Sequence, residues 1–169
     1  MTGTPFSSDT YTLDQDKAGR HVRLEPLSAH QARELGLIFA SIDPWKKVDW
    51  PAERLESFLG GKVPGAPRYL IRSGEEPAGA VAVSSPWLHG AYLNFLGIVP
   101  GLQNSGIGTS VMDWFEAESL GTYRNLWICV SAFNDSATRF YEARGYSHAA
   151  TLDNLIVEGE DEILLRKRL

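Results

Sequence analysis

A single cysteine in 169 residues, Cys129, rules out an intramolecular disulfide and a thiolate metal cluster. The four histidines, His21, His30, His89 and His148, are scattered without ligand-like pairing, so no metal site is expected. No stretch approaches the roughly 20 apolar residues that span a bilayer. The first twenty residues mix Thr, Ser, Asp, Lys and Arg and lack the apolar run of a signal peptide. No membrane partner is expected, and a cytoplasmic location is the default. Positive charge is also short: Lys and Arg number 16 against 21 Asp and Glu, a net charge of -5. Nothing here supplies the positive field that neutralises phosphates globally, so nucleic acid is not an expected partner. Hydrophobic residues make up 43%, and the length suits one domain, 1–169, with its own core.

Residues up to about Ala18 read as a loose leader. His21 to Pro26 alternates like a half-buried strand. Ser28-Ala29-His30-Gln31 reads as a capping box, and Leu35, Ile38 and Ile42 continue at helical spacing until Asp43-Pro44 stops the helix. A second helix is expected from Pro51 to Phe58, ended by Gly60-Gly61. Tyr69 to Arg72 and Ala78 to Ser84 flank a Gly74-Glu75-Glu76 turn, which predicts a hairpin. Tyr92 to Val99 is an apolar strand, Gly106 to Leu120 a helix, and Leu126 to Val130 a short buried strand. Asp135 to Arg144 is helical, closed by Gly145. Ser147 to Leu152 and Ile163 to Arg168 read as closing strands, with Glu158 to Glu162 as a solvated turn. The order β-α-α-β-β-β-α-β-α-β-β gives a mixed α/β domain.

The chemistry concentrates after Tyr92. Leu96-Gly97-Ile98-Val99-Pro100-Gly101 leads into Leu102-Gln103-Asn104-Ser105-Gly106-Ile107-Gly108-Thr109. A helix start offers unpaired N–H groups and a positive dipole end, which attract anions. Gly106 and Gly108 remove side chains where a pyrophosphate would approach, although tight helix packing explains glycines equally. A Walker A loop is excluded because no Gly-Lys-Ser/Thr follows. A Rossmann fingerprint is excluded because its third glycine is missing. Further on, Asn134 and Tyr141 stand seven residues apart. That is about 700° on a helix, so both address nearly one direction. Read singly, Asn134 is an N-cap and Tyr141 a packing residue.

Gln103-Asn104-Ser105-Gly106-Ile107-Gly108 resembles motif A of the GNAT superfamily of acetyl-CoA-dependent N-acetyltransferases, whose core is Gln/Arg-x-x-Gly-x-Gly/Ala. Asn134 to Tyr146, with its Asn, Ala, Tyr and Gly-Tyr, resembles motif B. The resemblance implies a mostly antiparallel sheet flanked by helices, with two splayed parallel strands forming an acetyl-CoA cleft. It implies backbone contacts from Leu96, Gly97 and Ile98 to the acetyl group and pantetheine arm. Asn104, Ser105, Gly106, Ile107, Gly108 and Thr109 would hold the pyrophosphate. Asn134 would contact the cofactor arm, and Tyr141 would serve the thioester sulfur as the catalytic residue. The implied reaction is direct attack of an amine, small molecule or peptide N-terminus, on acetyl-CoA. A non-catalytic acyl-CoA-binding domain is the alternative, and pairing into a homodimer stays open.

One departure stands out. Where many relatives carry a general-base glutamate, this chain has Tyr92 and Cys129, the latter more readily a small buried hydrophobe. No base is identified from the sequence. Asp43 to Trp50 and Ser85 to Gly90 lie where the acceptor side is expected. Their tryptophans either line an amine pocket or pack helices onto the sheet.

Overall fold

The computed structural model describes residues 4–169. Its strands are β1 (Tyr11–Gln15), β2 (His21–Pro26), β3 (Arg68–Ser73), β4 (Glu76–Trp87), β5 (Gly90–Ile98), β6 (Asn125–Ser131), β7 (Ser147–Val157) and β8 (Glu160–Arg168). The helices are α1 (Ala29–Ala40), α2 (Ala52–Gly60), α3 (Ile107–Ser119) and α4 (Asp135–Ala143). The strands form one sheet in the order β1-β2-β3-β4-β5-β6-β8-β7. Every adjacent pair is antiparallel except β5 with β6, as the GNAT-like reading expected. Among the described residues no helix is long and apolar enough to cross a membrane.

Each face of the sheet has its own core. Val111, Met112 and Phe115 of α3 pack on Val81, Val83, Leu126 and Ile128. Leu35 and Phe39 of α1 and Leu55 and Leu59 of α2 cover Leu70, Ala80, Ala82 and Phe95 on the other face. The expected capping box is present, Ser28 Oγ accepting from the Gln31 N–H and Gln31 Oε1 from the Ser28 N–H.

Two expectations are corrected. The loose leader contains β1 and a buried Phe6, whose ring meets Trp114 at 5.3 Å and Phe115 at 5.8 Å. Just beyond β1, Asp16 is buried and held by Ser73 Oγ at 2.7 Å, Arg20 Nε, and the N–H groups of Ala18 and Arg20. Those donors hold its carboxyl down at about 2. The acidic turn is also shorter than expected: β8 begins at Glu160, and Glu162 is only 4% exposed.

The feature that shapes the cleft is a bulge. Ala82 pairs with Phe95 but Val83 with Leu93, so Asn94 is an extra residue in β5. It reverses the alternation of side chains, sending Leu93 to the α3 side and Phe95 to the α1 side. The parallel pairing of β5 with β6 also ends there, at Leu93 opposite Ile128. Beyond it β6 continues to Ser131 beside β8 alone. The rest of β5, through Ile98, has β4 on one side and an open gap on the other.

Candidate active site

The gap opens into two chambers that share a wall. The larger, about 510 Å³, runs from Leu96, Gly97 and Ile98 along Asn104, Gly106, Gly108 and Thr109 to Asn134 and Tyr141. The smaller, about 220 Å³, lies beneath the 44–50 loop and is floored by Tyr92, Asn94, Cys129, Ser131 and Glu162. Trp45, Leu96, Asn134 and Tyr141 border both.

The phosphate-side loop owes its shape to left-handed residues. Gly101 (φ 88°), Asn104 (φ 60°) and Gly106 (φ 89°) turn the chain back after β5, and Gly106 caps α3. The first intrahelical bond runs from the Ser110 N–H to the Gly106 carbonyl, so the preceding N–H groups have no partner within α3. Gly108 faces the cleft, where an added Cβ would meet Phe140 Cζ at 3.8 Å and nothing nearer. Ile107 and Ser105 do not line the cleft with the others. Ile107 is 1% exposed in the core, and Ser105 Oγ donates to the Leu102 carbonyl. Any contribution from Ile107 is therefore its main chain. Gly97 has a packing reason of its own, since a Cβ there would meet Phe39 Cζ at 2.7 Å.

Lys17 is a cleft residue that sequence reasoning missed. Its Nζ donates to the Asn104 carbonyl at 2.8 Å, and its N–H to the Ser105 carbonyl at 2.8 Å. A lone lysine in an apparent leader carries no signal, because only the turn around Asp16 brings it to the loop.

Asn134 caps α4, its Oδ1 accepting from the Ala137 N–H at 3.2 Å, and it also borders both chambers. Tyr141 lies on the same side, 7% exposed, and burial alone raises its phenol pKa above the ordinary value. Burial also pushes the Cys129 thiol up to about 12, helped by the neighbouring Glu162 carboxylate. Tyr92 is raised too, first by burial and then by Cys129 and Glu162.

Trp45 packs a helix onto the sheet and also lines the cleft. It stacks on Phe95 at 4.7 Å and meets Phe39 at 4.8 Å, joining α1 to the sheet while bordering the chambers. Trp50 lines the smaller chamber, where its Nε1 is buried without a partner among the described residues. Trp87 lies outside both chambers and stacks on Tyr92 at 4.6 Å.

A model of the acetyltransferase (GNAT) family matches residues 31–146, more than half of the chain. The protein belongs to that family. A search of curated proteins found no match. Among solved structures, Mycobacterium smegmatis RimJ, in complex with CoA-disulfide, aligns with TM-score 0.70 and 15% identity over 98% of this chain and 90% of its own. The Escherichia coli ribosomal-protein-S18-alanine N-acetyltransferase aligns with TM-score 0.67 and 17% identity, over 87% and 93%. Arabidopsis thaliana NAA60, in complex with a bisubstrate analogue, gives TM-score 0.65 and 17% identity, over 87% and 97%. At these identities the likeness is one of fold, and it agrees with the GNAT architecture found here.

Proposed function

We propose that this GNAT acetyltransferase transfers an acetyl group from acetyl-CoA to a primary amine, on a small molecule or a peptide N-terminus, by direct attack in a ternary complex. The observation that carries the proposal is the pair of chambers meeting at Tyr141. One suits a long anionic cofactor and the other a small head group. In this reading the pyrophosphate lies on the N–H groups at the start of α3. The pantetheine arm and acetyl group run along the unpaired edge of β5 at Leu96, Gly97 and Ile98. A main-chain N–H near Ile98 then stabilises the oxyanion as the amine adds. Asn134 spends Oδ1 on its helix cap, so its amide NH₂ is the group that reaches the arm. The test is release of free CoA with a panel of small amines and short peptides. Tight acetyl-CoA binding without thiol release from any acceptor would leave an acyl-CoA-binding domain instead.

Two consequences are smaller. Lys17→Ala should weaken acetyl-CoA binding about fivefold, the worth of an exposed ion pair of about 1 kcal/mol. Titration at rising salt checks it, because the difference should shrink as charges are screened. Cys129→Ala should keep most turnover. A thiol at about 12 supplies almost no thiolate near neutral pH, so a fall of several hundredfold with intact folding would overturn this.

A further inference from the structure

The reaction needs a proton acceptor, and neither Tyr92 nor Cys129 offers a carboxylate. We propose that Glu162 is the base that takes the proton from the acceptor amine. The inference rests on the acetyl-transfer reading and supplies what motifs A and B lack.

Three observations carry it. The first is location. Tyr92 of β5, Cys129 and Ser131 of β6, and Glu162 of β8 share the sheet face beneath the 44–50 loop and floor the smaller chamber. The second is register. Ser131 stands opposite Glu162, three residues past Ile128, where β6 last pairs with β5. Counting Asn94 as the extra residue of the bulge, the third step past Leu93, the partner of Ile128, is Gly97, next to Leu96 in the stretch where the acetyl group is expected. Glu162 therefore stands across the gap from that stretch of β5, on the side an amine must enter. The third is chemistry. Glu162 is 4% exposed and has no cation within salt-bridge distance among the described residues, in a protein whose other buried carboxylate, Asp16, is paired with Arg20. Ser131 Oγ donates to Glu162 Oε1 at 2.6 Å, fixing the carboxylate from the strand side. Leu155 and Ile156 line the same chamber, as does Asn94, whose buried Oδ1 has no partner among the described residues. The site thus presents oxygens to an ammonium head and apolar walls to its substituent.

The step balances as follows. The Glu162 carboxylate, directly or through one water, removes one proton from the bound ammonium. The nitrogen lone pair forms the C–N bond at the thioester carbon, and the carbonyl π pair moves to oxygen. Collapse of the adduct breaks the C–S bond, whose electron pair leaves on sulfur. The nitrogen loses its second proton and the sulfur gains one, so amide and thiol form. The proton held by Glu162 is returned to solvent.

Burial raises the Glu162 pKa, with hydrogen bonds from Ser131 and Cys129 opposing and the Glu160 carboxylate adding to the rise. Glu160 is itself paired with Lys47 at 3.2 Å, and Tyr92 and Cys129 face Glu162 in neutral form near pH 7. A base works when ionised, so activity should rise with pH through a value above the ordinary 4.5 of a glutamate. Stability has the opposite sign, because a raised carboxyl pKa stabilises the fold at low pH and loses that contribution as pH rises.

The experiment measures acetyl-CoA affinity by calorimetry and kcat against pH at saturating amine. The acceptors are phenethylamine, putrescine and an Ala-initiated tripeptide, for the wild type and Glu162→Gln. Glutamine keeps an acceptor for Ser131 but cannot take a proton. The expected result is unchanged acetyl-CoA affinity, a melting temperature equal to or above wild type at pH 8, kcat lower by about 10²–10⁴-fold, and no acidic limb. A Glu162→Gln enzyme that keeps wild-type kcat, or keeps the same acidic limb at lower rate, overturns the assignment of the base while leaving acetyl transfer standing. A wild type that neither binds acetyl-CoA nor releases CoA removes the acetyl-transfer reading and this inference with it.

Discussion

Tyr141→Phe should lower kcat by about 10²–10⁴-fold while acetyl-CoA affinity changes little. Tyr141 borders both chambers, and in the proposed reading the thioester is attacked where they meet. The substitution removes only the hydroxyl. The ring's edge contacts with Phe140 at 5.1 Å and Tyr146 at 6.0 Å remain, so the fold should persist. A phenol near 10 and a thiol near 8.5 make full proton transfer uphill by roughly 2 kcal/mol in water. Burial raises the phenol further, which alone would weaken it as an acid. The same burial acts on the leaving thiolate, which has lost the water that would have solvated it. What matters is the difference between two anions in one partly buried site, and there a hydrogen bond to the departing sulfur is worth more than in water. The raised pKa also keeps Tyr141 protonated throughout the neutral range, so this residue adds no basic limb below pH 10. A phenylalanine variant that turns over at the wild-type rate when chemistry is limiting would make Tyr141 a packing residue.

Sequence and structure agree best where the information is local. Asn134 is the N-cap of α4 and Tyr141 its seventh residue, so one short segment brings both to the cleft. The cap at Ser28 is set by Gln31 three residues on, and the one at Gly106 by the glycine's own left-handed backbone. Lys17, Glu162 and the bulge at Asn94 depend on contacts distant in sequence. Glu162 is buried because β8 pairs with β6 and the 44–50 loop covers that face, and neither partner is near it in the chain. In sequence it belongs to a run of acids that reads as solvated surface. A signal was present nonetheless. Extending the strand from Ile163 back to Glu160 puts Glu162 on the face opposite Leu165, the face that carries Cys129 and Ser131. β1 was missed for a related reason. Tyr11-Thr12-Leu13 is too short to show a period, and Phe6 is buried by Trp114 and Phe115, more than 100 residues away.

Gly108→Val should weaken acetyl-CoA binding on the order of 10²-fold with little loss of stability. The obvious alternative, Gly106→Val, is the poorer test. Gly106 holds φ at 89°, where a β-branched residue is strained whatever ligand is present, so lost binding there could follow from a distorted loop. Gly108 carries no such constraint. It sits in the first turn of α3, and its Cβ has ordinary contact with Phe140 and open cleft beyond. Valine is moderately better than glycine in a helix, which offsets any crowding. Its two methyl groups would occupy the space through which phosphate oxygens approach the N–H groups of the first turn. Hydrogen bonds to a charged group are worth about 1.5–3 kcal/mol each. Losing one or two at each 1.4 kcal/mol per decade gives the expected factor. Calorimetry with acetyl-CoA and with S-acetylpantetheine, which lacks the pyrophosphate, separates the causes. Affinity for acetyl-CoA should fall while that for S-acetylpantetheine stays at the wild-type value. A folded variant that binds acetyl-CoA as tightly as the wild type would show that the start of α3 is not the phosphate site.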